Sequence, residues 1–194
     1  MSVRRLSETD KPGHMPWLRS AAFAVVITML AAGAGLAQHL QPYAGQQDRA
    51  IAGLSADEVK AFLDGRGMGL AKPAEVNGYP GPMHVLELAD ELKLTGEQRQ
   101  QVQLAFERMK ARAVELGARY VAAEKALDEA FKSGTADAAA VATRVAEANR
   151  LLGEVRMSHL AAHIEITPLL SAEQRALYAE RRGYGSPAHT HKNQ

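Results

Sequence analysis

His159 and His163 stand four residues apart in the stretch "VRMSHLAAHIEI". On a helix that spacing puts both imidazoles on one face, within reach of a single ion, and Zn, Ni, Co and Cu all accept a histidine pair. Two donors do not complete a site. Met157 and Glu165, two places from a histidine, face elsewhere on the helix. The missing donors would come from His84, Glu87 or Glu91 on a preceding helix, where His84 and Glu87 are three apart, or from a second copy of the chain. The competing use of His159 is structural, because a histidine on an apolar helix face commonly donates to a carbonyl or carboxylate. His189 and His191, two apart near the C-terminus, could bind metal only loosely.

A second set is basic. Arg108, Arg112 and Arg119 form a strip interrupted by Glu115. A solvated helix face accounts for it. The functional alternative is a client-binding surface, where guanidinium groups and their apolar stems meet unfolded chains. Met68, Met83, Met109 and Met157 add adaptable apolar surface, with Met109 also fitting a core position. Nothing points to an enzyme: there is no cysteine nucleophile, no Gly-rich phosphate loop after a strand, and no Ser, His and Asp set that the pattern brings together.

The elements that must position these residues announce themselves by repetition. "LTGEQ" (Leu94 to Gln98) returns as "LSAEQ" (Leu170 to Gln174), and "LSADE" (Leu54 to Glu58) is a looser relative. In each, a Thr or Ser is followed three places later by Gln or Glu, the spacing of a capping box that starts a helix. Thr95 with Gln98 and Ser171 with Gln174 are therefore helix caps, each preceded by an apolar residue, Leu94 or Leu170. From Gly96 to about Lys132 there is no proline, and Val102, Phe106, Met109, Ala113, Leu116, Tyr120, Ala123, Leu127 and Ala130 recur by fours and threes. That is a heptad seam on a helix about 55 Å long at 1.5 Å per residue. "KSGTAD" supplies a turn, with Gly134 as the stop and Thr135 as the next cap. A second seam, Val141, Val145, Ala148, Leu152, Val155, His159, Ala162 and Ile166, runs to Pro168.

Around this pair, a short helix is expected at Ser55 to Asp64, an irregular Gly- and Pro-rich stretch at Gly65 to Pro82, one helix of about three turns in "MHVLELADELKL", and a last helix from Ser171 to about Arg182. The fold class is all-α: a long antiparallel helical hairpin flanked by short helices. Such a hairpin is too thin to cover both seams, and an elongated homodimer is the simplest remedy. The chain divides into a signal segment (1–37), an irregular connector with one short helix (38–82), the helical-hairpin domain (83–183) and a disordered tail (184–194).

The N-terminus has the layout of an export signal: Arg4, Arg5, Lys11 and Arg19 precede the uncharged run "AAFAVVITMLAAGAGLA", closed by small residues. Cleavage after Ala37 is preferred over cleavage after Ala34, with an uncleaved inner-membrane anchor facing the periplasm as the alternative. Removing residues 1–37 turns 23 basic and 22 acidic residues into 19 and 20, a net charge of −1. Near-neutral balance and export both argue against a nucleic-acid partner. A chain without cysteine, 46% hydrophobic but only 5% aromatic, suits a helical envelope protein held by packing alone.

An exported helical chain with Leu94, Thr95 and Gln98 at one helix start and Leu170, Ser171 and Gln174 at another resembles the Spy/CpxP family with its LTxxQ phrases, Ser standing for Thr in the second. The resemblance covers roughly Pro82 to Tyr184. That family includes periplasmic chaperones, stress-signalling adaptors and heavy-metal-resistance proteins such as ZraP and CnrX, and "NGYPGPMHVLEL" with "HLAAH" is similar to its metal-sensor branch. The resemblance implies a periplasmic stress-response protein that holds unfolded envelope proteins without ATP and requires no cofactor. The alternative is a heavy-metal sensor or resistance protein taking a divalent transition metal, and a third reading is a structural adaptor that docks on a membrane sensor kinase or an anti-sigma factor.

Overall fold

The computed structural model describes residues 42–184. The signal run with both cleavage positions, and the tail histidines His189 and His191, lie outside the described residues. Residues 42–45 form a turn belonging to an N-terminal unit that ends at Gly45, and a second unit begins at Gln46 and holds all the helices described. The fold class is all-α. The described residues form helices α1 (Ala56–Leu63), α2 (Lys72–Glu75), α3 (Pro82–Glu87), α4 (Gly96–Lys132), α5 (Ala138–Ile166) and α6 (Ala172–Arg181), with a 3-10 turn at Thr167–Leu169. None of these is long and apolar enough to cross a membrane.

Each of the three repeated phrases caps a helix. Thr95 Oγ1 accepts from the Gln98 N–H at 3.1 Å while Gln98 Oε1 accepts from the Thr95 N–H at 3.0 Å. Ser171 with Gln174, and Ser55 with Glu58, do the same. Two orphan donors are satisfied at each helix start. The glutamines then do something a capping box does not require. Gln98 Nε2 donates to Gln174 Oε1 at 2.9 Å and to the Leu169 carbonyl at 2.7 Å. Gln174 Nε2 donates in return to Gln98 Oε1 and to the Leu92 carbonyl, both at 3.1 Å. The starts of α4 and α6 are thereby joined through one amide pair in which every N–H has a partner. Glu58, a carboxylate with no N–H to give, caps α1 and makes no second hydrogen-bonded link of this kind among the described residues.

Helices α4 and α5 pack against each other, with Arg108 bonded to Glu165 and Arg112 to Glu154 at 3.5 Å. Gly134, at φ +69°, lies in the turn between them. The cap of α5 is Asp137 rather than Thr135: its Oδ1 accepts from the N–H groups of Ala139 and Ala140, both at 2.9 Å. Thr135 instead shares a hydrogen bond with Ser133 Oγ across the turn.

Two buried clusters line this helix pair. In one, Phe62 from α1 meets Leu116 and Tyr120 of α4 and Leu151 and Val155 of α5. Its aromatic pair is edge-on, with Phe62 and Tyr120 centroids 4.7 Å apart. Gly117 permits this, because a β-carbon there would stand 2.2 Å from the Phe62 carbonyl oxygen. In the second, Val85 and Leu92 meet Val102 and Ala105 of α4, Ile166 and Leu170, and Tyr178 of α6.

Two further expectations need correcting. "MHVLELADELKL" is not a three-turn helix: α3 ends at Glu87, and residues 88–93 turn, with Lys93 at φ +52°. Leu92 and Leu94 are two apart and would leave a continuous helix in different directions. The turn brings Leu88, Leu92 and Leu94 to the same cluster, and their burial outweighs the segment's helix propensity. The heptad seam also drifts. Val145 is 38% exposed, while Leu151 and Gly117, off the expected seam, are buried because α1 approaches the pair from the flank.

Candidate functional site

Between the two clusters, α4 contributes Phe106, Met109 and Lys110, and α5 contributes His159 and His163. Neither core covers them fully. The Gly- and Pro-rich stretch from Gly65 to Pro82 lies over this part of the pair, and between them opens a cleft of about 560 Å³. Met68, Met83, Val76 and Tyr184 complete its mostly apolar wall, and His84 also lines it.

Glycine matters for the approach of this stretch to the histidines at Gly81, where a β-carbon would stand 3.0 Å from His163 Cε1 and 3.2 Å from Glu75 Oε2; one on Gly67 would stand 3.4 Å from His159 Nδ1, an ordinary contact. His159 is 5% exposed, and its Nε2 is buried without a hydrogen-bond partner. Burial, then the nearby His163, pushes its pKa below the ordinary value, so the ring is held neutral. His163, 8% exposed, has Nδ1 2.7 Å from the Tyr79 carbonyl. A carbonyl can only accept, so Nδ1 carries the proton and a neutral ring keeps its lone pair on Nε2.

Glu75, at the end of α2, is the polar hub. Its Oε1 accepts from the Tyr178 hydroxyl at 2.6 Å and from Arg182 Nε at 3.3 Å, and its Oε2 lies 3.8 Å from His163 Nδ1. Tyr178 oxygen accepts in turn from the buried Gly81 N–H at 3.2 Å. Desolvation and the hydrogen bond to Glu75 push the phenol pKa well up, so it remains a donor.

The remaining predicted positions are distributed as follows. His84 Nδ1 lies 2.8 Å from Glu87 Oε2, so these two pair with each other; His84 lines the cleft while Glu87 is turned to solvent. Among the described residues no three His, Asp or Glu side chains converge as an ion-holding group. The arginine strip is already engaged: Arg108 by Glu165, Arg112 by Glu115 at 2.9 Å and by Glu154, and Arg119 by Glu115 at 3.9 Å. Leu94 and Leu170 pack in the second cluster behind their capping boxes. Sequence reasoning missed Glu75, Tyr178 and Arg182. Their only signal was Gly81, whose missing β-carbon lets the covering stretch descend onto His163 of α5.

Comparison of the chain with protein-family models, with curated proteins and with solved structures gives no match.

Proposed function

We propose that this is an exported, periplasmic stress-response protein of Spy/CpxP-like character that holds apolar segments of unfolded envelope proteins without ATP. The observation that carries this reading is the cleft: Met68, Met83 and Met109 line it beside Phe106. Methionine side chains are unbranched and polarisable, so such a wall can repack around many apolar sequences with modest affinity for each. The arginine strip has a smaller part than the sequence suggested, since its guanidinium groups are held by glutamates. In the same reading α4 and α5 form an antiparallel hairpin that pairs with a second copy, with exposed apolar residues such as Leu104 and Phe131 available for that contact.

The test is light scattering of an aggregating client with wild type, with Met83→Asp/Met109→Asp, and with an inert helical protein at equal concentration. Wild type should suppress aggregation, and the charged variant should lose most of that protection at unchanged helicity. Wild-type protection no better than the inert control removes the holdase reading.

A second reading rests on a separate observation. The unpartnered buried Nε2 of His159, and the tautomer of His163 that leaves its Nε2 lone pair free, supply two of the donors a divalent transition metal needs. The others would come from a second copy or from a rearranged His84, and such a protein would act as a metal sensor addressing a membrane kinase or an anti-sigma factor. Calorimetric titration with zinc decides it: His163→Ala should remove most of the affinity while circular dichroism stays unchanged. Equal binding by the variant would sink this site.

A further inference from the structure

The charge of the cleft is unbalanced in a way its walls make specific. Two carboxylates line it, and both are engaged. Asp64 is held by Lys60 at 2.9 Å and by Arg66 at 3.7 Å, and Glu75 by Tyr178 and Arg182. Two further cations line it from different elements, Lys72 from α2 and Lys110 from α4, and neither has an ion-pair partner among the described residues. Lys110 Nζ stands 5.9 Å over the Phe106 ring, which holds this charge beside the apolar wall. A volume of about 560 Å³ falls in the range of small-molecule sites, which are mostly apolar with a few placed polar groups.

From this charge complementarity we infer that the cleft binds a single-chain amphiphile with a carboxylate head, a fatty acid, with its chain along Phe106, Met83 and Met109 and its head between Lys72 and Lys110. An apolar chain gains by leaving water along such a wall. The head supplies the counter-charge that the cleft lacks, in a setting where flanking apolar groups strengthen the attraction. A cationic amphiphile would gain the same apolar contact but meet two ammonium groups that form no ion pair among the described residues, although Lys110 still feels the Asp64 carboxylate. The inference concerns this cleft alone and does not require that unfolded proteins bind there.

The experiment uses the full chain with labelled methionine methyl groups, titrated below the micellar concentration with dodecanoate, dodecyl phosphate, dodecyltrimethylammonium and butyrate. Dodecanoate should shift the signals of Met83 and Met109 but not that of Met157, which lies away from the cleft. It should bind at least tenfold more tightly than the cationic amphiphile, and butyrate should not bind. Lys72→Glu/Lys110→Glu should weaken dodecanoate at least tenfold and strengthen the cationic amphiphile. Equal binding of both head charges, insensitivity to the charge reversal, or shifts at Met157 as large as those in the cleft would each overturn the inference. Tighter binding of dodecyl phosphate than of dodecanoate would overturn the carboxylate assignment.

Discussion

Replacing Gly117 by alanine is expected to lower stability by about 2–3 kcal/mol, even though alanine is the better helix former by about 1 kcal/mol. The added β-carbon would meet the Phe62 carbonyl oxygen at 2.2 Å and its carbon at 2.9 Å. These are backbone atoms, so no side-chain rotation relieves the contact, and α1 must lift off α4. Lifting it separates Phe62 from Leu116 and Tyr120, which removes apolar contacts from the first core. Gly153→Ala, in α5, provides the matched control. No atom lies within 4 Å of a β-carbon placed there, and the residue is exposed, so the same exchange should stabilise by up to about 1 kcal/mol. Thermal unfolding of the two variants should therefore shift in opposite directions, Gly117→Ala downward by roughly 5–10 °C. A Gly117→Ala protein as stable as wild type would mean that α1 does not pack where the structure places it.

The limits of sequence reasoning here have physical causes. Helix α4 was legible from Thr95 to Lys132 because local rules govern both ends, a capping box at one and Gly134 past the other. Its neighbour α5 was legible to Ile166 because proline follows. Gly117 was not legible as a contact, since glycine within a helix reads as a mild defect until another element is known to cross it. The same holds for Leu151, buried by the flank approach of α1. Gln98 and Gln174 were legible as caps, whereas their pairing depends on two helix starts meeting in space. A trace of it was present all the same: both positions carry Gln, where Glu would cap as well but could not donate. His159 and His163 share a face by helical spacing alone. Glu75 and Tyr178 are 103 residues apart, and the stretch bearing Glu75 has no periodicity from which to infer a direction.

Glu75→Ala should cost about 2–3 kcal/mol and loosen the covering stretch rather than the helix pair. The carboxylate has only 12% of its side chain exposed, and its removal leaves the Tyr178 hydroxyl without its acceptor and Arg182 without its counter-charge. Arg182 keeps 30% exposure, so water recovers part of that loss and the cost stays below that of breaking a fully buried pair. Glu75→Gln should cost less, about 1 kcal/mol, because an amide oxygen still accepts from Tyr178. Tyr178→Phe should cost about 1–2 kcal/mol, since it leaves the buried Gly81 N–H without its acceptor. If these groups act as one network, the double variant Glu75→Ala/Tyr178→Phe should lose less than the two single losses added, by at least about 0.5 kcal/mol. Denaturant titration measures the cycle, and hydrogen exchange locates it. Amides of residues 74–81 should open at a lower free energy in Glu75→Ala, while those in the middle of α4 and α5 should keep the protection set by global unfolding. Strict additivity, or equal loss of protection along both long helices, would contradict the assignment of Glu75 as the tie between the cleft's cover and α6.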